Sequence, residues 1–127
     1  MIKKLHILLV EDDWLTRRAL SDYLIGKGYD VFEAGNGLEG LRILEQSAID
    51  LVISDYSMPR MGGKELILNI KKIHPRLPVI LSSGLEFNEK EDFQQIKEFL
   101  YDFLRKPINL GLLQKVIQKV QRKTFYV

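Results

Sequence analysis

Short apolar runs alternate with longer amphipathic stretches along the 127 residues of this chain. Five of the runs are rich in Val, Ile, Leu and Phe and are bounded by turn residues, which is typical of buried strands. The second run alternates partly between polar and apolar residues, so we expect it to lie nearer an edge of the sheet. The predicted strands are Leu5–Val10, Tyr29–Ala34, Leu51–Ser54, Val79–Ser82 and Asp102–Arg105.

The stretches between these strands place apolar residues three and four positions apart, which predicts amphipathic helices. Asp13 and Asn36 are suited to cap the first two helices, and Gly28 to end the first one in the left-handed conformation. The first helix is predicted from Trp14 to about Lys27 and the fourth from Glu89 to Leu100. The residues assigned to buried faces are, helix by helix, Leu15, Ala19, Leu20, Tyr23 and Leu24; Leu38, Leu41 and Leu44; Leu66, Ile67, Ile70 and Ile73; Phe93, Ile96 and Leu100; and Leu113, Val116, Ile117 and Val120.

Five alternations of strand and helix predict an α/β fold, in which helices cover both faces of a single doubly wound, five-stranded parallel sheet. The length fits one domain over residues 1–127, with no residues left for an effector domain. Ligands of such open sheets bind at the carboxyl ends of the strands, so we expect the functional site there.

Composition narrows the function classes only slightly. A formal net charge of +2 does not favour a direct nucleic-acid partner. The absence of cysteine excludes disulfides and thiolate metal sites and favours a cytoplasmic location. No stretch is long enough to cross a bilayer, and the apolar run after Lys4 stops at Glu11 without a signal-peptide cleavage site. We therefore expect no membrane partner.

Groups that contain polar residues stand at the ends of four of the five predicted strands. They are Glu11-Asp12-Asp13, Asp55, Ser82-Ser83 and Lys106-Pro107. Each has an ordinary structural explanation, as a helix cap, turn material or a solvated lysine at a bend. Four such groups at four strand ends on one edge of a sheet are better explained as a functional site.

The residue types point to phosphoryl chemistry. Carboxylates that converge on one crevice repel each other unless a cation intervenes, and an all-oxygen ligand set suits Mg²⁺. Asp12 and Asp55 could hold that ion. Lys106 and the Ser83 hydroxyl would neutralise the oxygens of a transferring phosphoryl group, and Asp55 would be the nucleophile that forms an acyl phosphate.

At these residues the chain resembles the receiver domains of two-component response regulators, of the kind found in chemotaxis, over essentially its whole length. This resemblance implies a flavodoxin-like fold with strand order 2-1-3-4-5 and a cis peptide between Lys106 and Pro107. The segments that match are Val10-Glu11-Asp12-Asp13, Asp55, Met58-Pro59-Arg60-Met61-Gly62-Gly63, Pro78-Val79-Ile80-Leu81-Ser82-Ser83-Gly84 and Phe103-Leu104-Arg105-Lys106-Pro107.

The resemblance also implies roles for individual residues. Asp55 would take a phosphoryl group from a histidine kinase or a phosphotransfer protein. Asp12 would bind Mg²⁺ directly, Glu11 would assist through water, and the backbone carbonyl of Ser57 would complete the protein ligands. Asp13, one place beyond the acid pair, is then the helix cap.

The resemblance further implies a conformational switch. Lys106 would bind the phosphoryl group, Ser83 would be the switch hydroxyl, and Phe103 the switch aromatic that turns inward. The expected output surface is formed by the fourth helix, the fifth strand and the last helix. It would bind an unknown downstream protein in trans, unless the chain is cut from a longer regulator or a hybrid histidine kinase. The domain would be a monomer or a phosphorylation-dependent dimer.

Three departures from the common receiver pattern bear on this switch. Ser83 stands where threonine is commoner, and Phe103 lacks the tyrosine hydroxyl of many members. The resemblance implies that the apolar side chain of Leu85 would lie near the site, and we hypothesise that it hinders hydrolytic water and lengthens the phosphorylated state. The expected activity is signalling rather than enzymatic: the domain would catalyse its own phosphorylation and slow dephosphorylation.

Two other classes also use a fold of this kind. A haloacid-dehalogenase-like phosphatase forms a Mg²⁺-bound aspartyl phosphate, but it needs its nucleophile directly after the first strand, where this chain has Glu11. A flavodoxin-like binding module needs a Ser/Thr/Gly-rich phosphate loop at the same place, where acidic residues would repel a phosphate. Turnover of a generic phosphate ester would identify the first class, and flavin colour the second.

Overall fold

The structure is a computed structural model that describes residues 3–84 and 91–125, and strands and helices alternate along it. The strands are β1 His6–Val10, β2 Asp30–Ala34, β3 Leu51–Asp55, β4 Val79–Ser83 and β5 Asp102–Arg105. The helices are α1 Trp14–Gly26, α2 Gly37–Gln46, α3 Gly63–Ile73, α4 Glu91–Ile96 and α5 Leu110–Phe125, and α4 continues into a 3₁₀ turn, Lys97–Phe99.

The five strands form one parallel sheet in the order β2-β1-β3-β4-β5. The predicted doubly wound fold and the strand order implied by the resemblance are therefore confirmed, and β2 lies at an edge as expected. In the register of the sheet, Val10 pairs with both Ala34 and Ser54, and Asp55 pairs with Ser82. The carboxyl ends of β1, β3 and β4 are thus level with one another.

Two apolar layers sandwich the sheet, because alternate strand residues point to opposite faces. Ile7 and Leu9 of β1 face α1 and α5, whereas Leu8 and Val10 face α2, α3 and α4. All residues of β3 and β4 are buried. In the part of the chain that the structure describes, every helix is too short or too polar to cross a bilayer.

The predicted helix caps are present. The Asp13 carboxylate accepts a hydrogen bond from Thr16 N at 2.9 Å. A bond from the Thr16 hydroxyl and this backbone bond lower the pKa of Asp13. Asn36 Oδ1 accepts from Glu39 N at 3.0 Å. Gly28 follows α1 with φ of 95°, in the left-handed region where glycine is favoured.

Part of the predicted core assignment is wrong. Leu15 is 71% exposed, Leu38 is 40% exposed, and Ile73 at the end of α3 is 61% exposed. Ala19 is exposed as well. In α2 the reason is the close approach of the helix to the sheet: a Cβ atom on Gly40 would lie 3.2 Å from Val10 Cγ2. Since α2 packs through its glycines and Leu44, its Leu38 is left facing outward.

The fourth helix ends earlier than predicted. It ends at Ile96, and the residues up to Phe99 form the 3₁₀ turn. Glu89, the predicted start, lies outside the described residues, as does Leu85 with its predicted effect on hydrolysis. Within the described part of α4, Ile96 is buried and Phe93 is half-buried.

Candidate functional site

Three carboxylates meet at the carboxyl edge of the sheet. Oxygen atoms of Glu11, Asp12 and Asp55 all lie within 4.8 Å of one another. The pairing of Val10 with Ser54 produces this arrangement, because it sets the residues after β1 beside the end of β3. Glu11 and Asp55 are only 2% and 6% exposed, whereas Asp12 is exposed. The cluster is therefore partly enclosed and open on the side of Asp12.

Lys106 joins two of these carboxylates. Its Nζ atom lies 3.0 Å from Glu11 Oε1 and 3.2 Å from Asp55 Oδ1. The lysine directly follows β5, and its backbone N–H donates to the Ser83 carbonyl at 2.8 Å. The Lys106–Pro107 peptide is cis, as the resemblance implied. The Lys106 ammonium group thus pairs with two of the three carboxylates in the cluster.

Burial is the largest influence on the pKa values of Glu11 and Asp55. It raises the pKa of Glu11 and of Asp55, and the hydrogen bonds and charge of Lys106 offset this only in part. Burial by itself would lower the pKa of Lys106, but its hydrogen bond to Glu11 and the charge of Asp55 outweigh that effect and raise it. A small divalent cation would relieve the remaining repulsion, and the all-oxygen donor set is compatible with Mg²⁺.

The loop after Asp55 is tightly constrained. Tyr56 N donates to the Ser82 carbonyl at 2.9 Å, and Gly63 N donates to the Tyr56 carbonyl at 2.7 Å. A Cβ atom on Gly63 would lie only 2.7 Å from Tyr56 Cα, so a larger residue would displace the backbone beside Asp55. Ser57, whose carbonyl was expected to bind metal, is exposed in this loop.

The two predicted switch residues lie on neighbouring strands. Ser83 is buried at the end of β4, and its carbonyl holds the backbone of Lys106. Phe103 is half-buried on β5 and packs edge-to-face on Phe93 of α4, with ring centroids 5.4 Å apart. The structure therefore places Ser83 at the edge that holds the carboxylates and Phe103 against α4.

Two further polar arrangements were missed by sequence reasoning. Tyr56 donates its hydroxyl hydrogen bond to Asp92 of α4, and Lys64 Nζ lies 3.1 Å from Asp92 Oδ1. Burial and the Asp92 carboxylate raise the pKa of Tyr56 to about 12. On the other side of the site, Arg17 Nη1 donates to the Glu11 carbonyl at 2.8 Å. Neither arrangement has a sequence motif, because each joins segments that only the fold brings together.

A family model and curated relatives both match most of this chain. A family model described as the response regulator receiver domain matches residues 7–118. The transcriptional regulatory protein GlrR of Escherichia coli (strain K12) is 36% identical over 91% of this chain. The sensor histidine kinase RcsC of Salmonella typhimurium is 34% identical over 87% of it. The chain spans only 26% of GlrR and 12% of RcsC.

Solved structures agree with the sequence comparisons. A response regulator receiver domain protein from Clostridium thermocellum superposes with a TM-score of 0.86 at 30% identity, covering 97% of this chain and 99% of the other. The response regulator TrrA of Thermotoga maritima, solved in complex with Mg²⁺-BeF, gives a TM-score of 0.81 at 26% identity, covering 91% and 98%. The chain belongs to the response regulator receiver domain family.

Proposed function

We propose that Asp55 of this receiver domain accepts a phosphoryl group from a histidine kinase or a phosphotransfer protein, in a reaction that requires Mg²⁺. The observation that best supports this is the contact of Lys106 with both Asp55 and Glu11 inside a cluster of three carboxylates. A buried aspartate beside a fixed ammonium group is suited to receive an anionic group. The family membership and the Mg²⁺-BeF complex of TrrA support the same assignment.

The reaction follows from the groups at this edge of the sheet. A carboxylate oxygen of Asp55 would attack phosphorus and form an acyl phosphate. The bond from phosphorus to the donor's imidazole nitrogen would break, and that nitrogen would leave with the bonding electron pair. Lys106 and the Ser83 hydroxyl would neutralise the phosphoryl oxygens.

The acid pair would serve the cofactor. Glu11, Asp12 and Asp55, with the backbone carbonyl of Ser57, are the groups that would hold Mg²⁺. When bound, this ion supplies positive charge that offsets the phosphoryl oxygens and the crowded carboxylates. The domain would thus promote its own phosphorylation and slow dephosphorylation, and would signal rather than turn over a substrate.

The output would be a change in partner binding. The charge of the phosphoryl group on Asp55 would attract Ser83, and the movement of Ser83 would open space beside β5. Phe103 would then give up its edge-to-face contact with Phe93 and turn inward. The surface formed by α4, β5 and α5 would then bind or release a downstream protein. That protein would act in trans or belong to the same longer regulator or hybrid kinase, since relatives of both kinds contain a domain like this one.

Intact mass spectrometry after incubation with acetyl phosphate tests the proposal. We expect the wild type to gain one phosphoryl group in the presence of Mg²⁺ and to gain none with EDTA. Asp55→Asn should gain none in either condition. Asp22→Asn is the matched control, because Asp22 is an exposed carboxylate of α1 paired with Arg18, and this variant should behave as the wild type. A gain in Asp55→Asn equal to that of the wild type would contradict the proposal.

A further inference from the structure

The Arg17 side chain bridges the acidic loop and the edge strand of the sheet. Its Nη1 atom donates to the Glu11 carbonyl at 2.8 Å, and its Nε atom donates to Glu33 Oε1 at 3.2 Å. The side chain is only 17% exposed, so these bonds are shielded from water. A planar guanidinium with two separate acceptors is held in one orientation, which a lysine could not reproduce.

Glu33, the acceptor on β2, is itself fixed. It pairs across the sheet with Leu9 of β1, and its Oε2 accepts from Arg18 Nη1 at 2.7 Å and from Ser21 Oγ at 3.1 Å. Ser21 is fully buried. Arg17 is therefore anchored to a carboxylate that does not depend on the acidic cluster for its position.

Arg17 binds the Glu11 carbonyl oxygen, and this atom influences the position of Asp12. The Glu11 carbonyl belongs to the peptide group that joins Glu11 to Asp12, so its direction sets where the Asp12 side chain leaves the backbone. The rest of Glu11 is held as well: its N–H donates to the Ala34 carbonyl, and its carboxylate accepts from Asp13 N and from Lys106 Nζ. The bond from Arg17 completes this set and determines the orientation of the peptide.

We propose that Arg17 is a positioning residue that presents the Glu11–Asp12 acid pair for metal binding. This inference rests on the proposed function, in which the acidic cluster binds Mg²⁺. Asp12 is exposed and borders the open side of the cluster, so its placement depends on its backbone. Loss of the Arg17 guanidinium would free the peptide to rotate and would weaken Mg²⁺ binding, with the carboxylates themselves unchanged.

Arg18 provides a matched control. It lies next to Arg17 on α1 and pairs with the same Glu33, but its other bond goes to Asp22 at 2.9 Å. A merely structural tether between α1 and β2 would make the two arginines equivalent. A positioning role in metal binding makes them different.

The experiment compares Arg17→Met and Arg18→Met in the full chain. Each change keeps an apolar stem and removes the guanidinium. Urea unfolding is monitored by circular dichroism at a series of Mg²⁺ concentrations, with no phosphodonor present. The rise in unfolding free energy with Mg²⁺ concentration gives the Mg²⁺ affinity. We expect Arg17→Met to raise the Kd for Mg²⁺ about tenfold, the usual lower limit when an outer partner of a metal ligand is lost. Arg18→Met removes one bond to Glu33 but leaves those from Ser21 and Arg17, so it should raise the Kd for Mg²⁺ much less than Arg17→Met does.

Each outcome decides a separate point. A wild type that Mg²⁺ does not stabilise contradicts the proposed metal site, whatever the variants do. If the wild type binds Mg²⁺ and both variants bind it equally well, or are weakened equally, the positioning role is wrong. If Arg17→Met does not fold, Arg17→Lys replaces it, with Arg18→Lys as control, because an ammonium group cannot hold both acceptors. Wild-type affinity in a folded Arg17→Lys would overturn the inference.

Discussion

Helices α5 and α4 lie on opposite sides of the edge strand β5, yet they are held in different ways. Over 16 residues, α5 buries Leu113, Val116, Ile117 and Val120 in one continuous stripe. Over its 6 described residues, α4 buries Ile96, and it then continues into a 3₁₀ turn. Its first turn is attached instead by the bonds of Asp92 to Tyr56 and Lys64. One helix is held by a long buried stripe, and the other by the single buried Ile96, the half-buried Phe93 and polar contacts.

The difference has a physical consequence for signalling. Removing a stripe of buried side chains from the core costs several kcal/mol, whereas a hydrogen bond exchanged for water costs about 1 kcal/mol. Rearrangement should therefore occur on the α4 side, where Phe103 also packs on Phe93. Since Tyr56 directly follows Asp55, the polar attachment of α4 begins at β3, the strand that carries the proposed phosphoacceptor.

The largest expected effect compares two fully buried isoleucines. Ile117→Ala in α5 should lower the free energy of global unfolding by about 3 kcal/mol, because α5 cannot leave the sheet without exposing its whole stripe. Ile96→Ala should cost less globally and should mainly speed the hydrogen exchange of α4 amides, because α4 can detach by itself. Urea unfolding and native-state exchange measure both. Equal global losses, without faster exchange in α4, would remove the distinction between the helices.

A smaller effect is expected from the polar attachment itself. Tyr56→Phe removes the hydroxyl that donates to Asp92 and keeps the ring. We expect a local cost of about 1 kcal/mol, seen as roughly fivefold faster exchange of the α4 amides. Tyr23→Phe is the control, because its hydroxyl donates to the Leu110 carbonyl at the start of α5. That variant should leave α4 exchange unchanged, and a change there would argue against a local attachment.

The smallest expected effect is confined to alkaline pH. The pKa of Tyr56 is about 12 in the folded protein, above the value of about 10 for an unfolded chain. A raised pKa means that the neutral phenol contributes stability fully below about pH 10 and loses it as pH rises through about 12. The difference in unfolding free energy between wild type and Tyr56→Phe should therefore shrink over this range. A difference that stays constant would show that the phenol is not held in its neutral form.

Most of the fold could be predicted because the strands are short, apolar and separated by clear helix signals. The errors have a common physical origin, since a hydrophobic pattern does not reveal which helix face approaches the sheet. In α2 the contact face consists of two glycines and Leu44, so the apolar pattern predicts a buried Leu38 that is in fact exposed. In α1 the buried stripe is Leu20, Ser21 and Leu24, and Leu15 at its start faces outward.

The site residues that stand at the ends of strands could be predicted from the sequence. The polar residues at four of the five strand ends were enough to predict that Glu11, Asp12 and Asp55 lie together, and Lys106 contacts two of them. The contact of Arg17 with the Glu11 carbonyl could not be predicted, because its acceptor is a backbone atom. The contact of Tyr56 with Asp92 joins residues 36 positions apart and depends on how α4 is placed.

The bond between Lys106 and Glu11 joins residues 95 positions apart and closes most of the chain into a loop. During synthesis, the first strand and its acids leave the ribosome long before the lysine is made. The complete cluster therefore cannot assemble before β5 and Lys106 have been made, nor on a fragment cut before β5. A chain that lacks β5 and Lys106 would present Glu11 and Asp55 without the ammonium group that pairs with both of them.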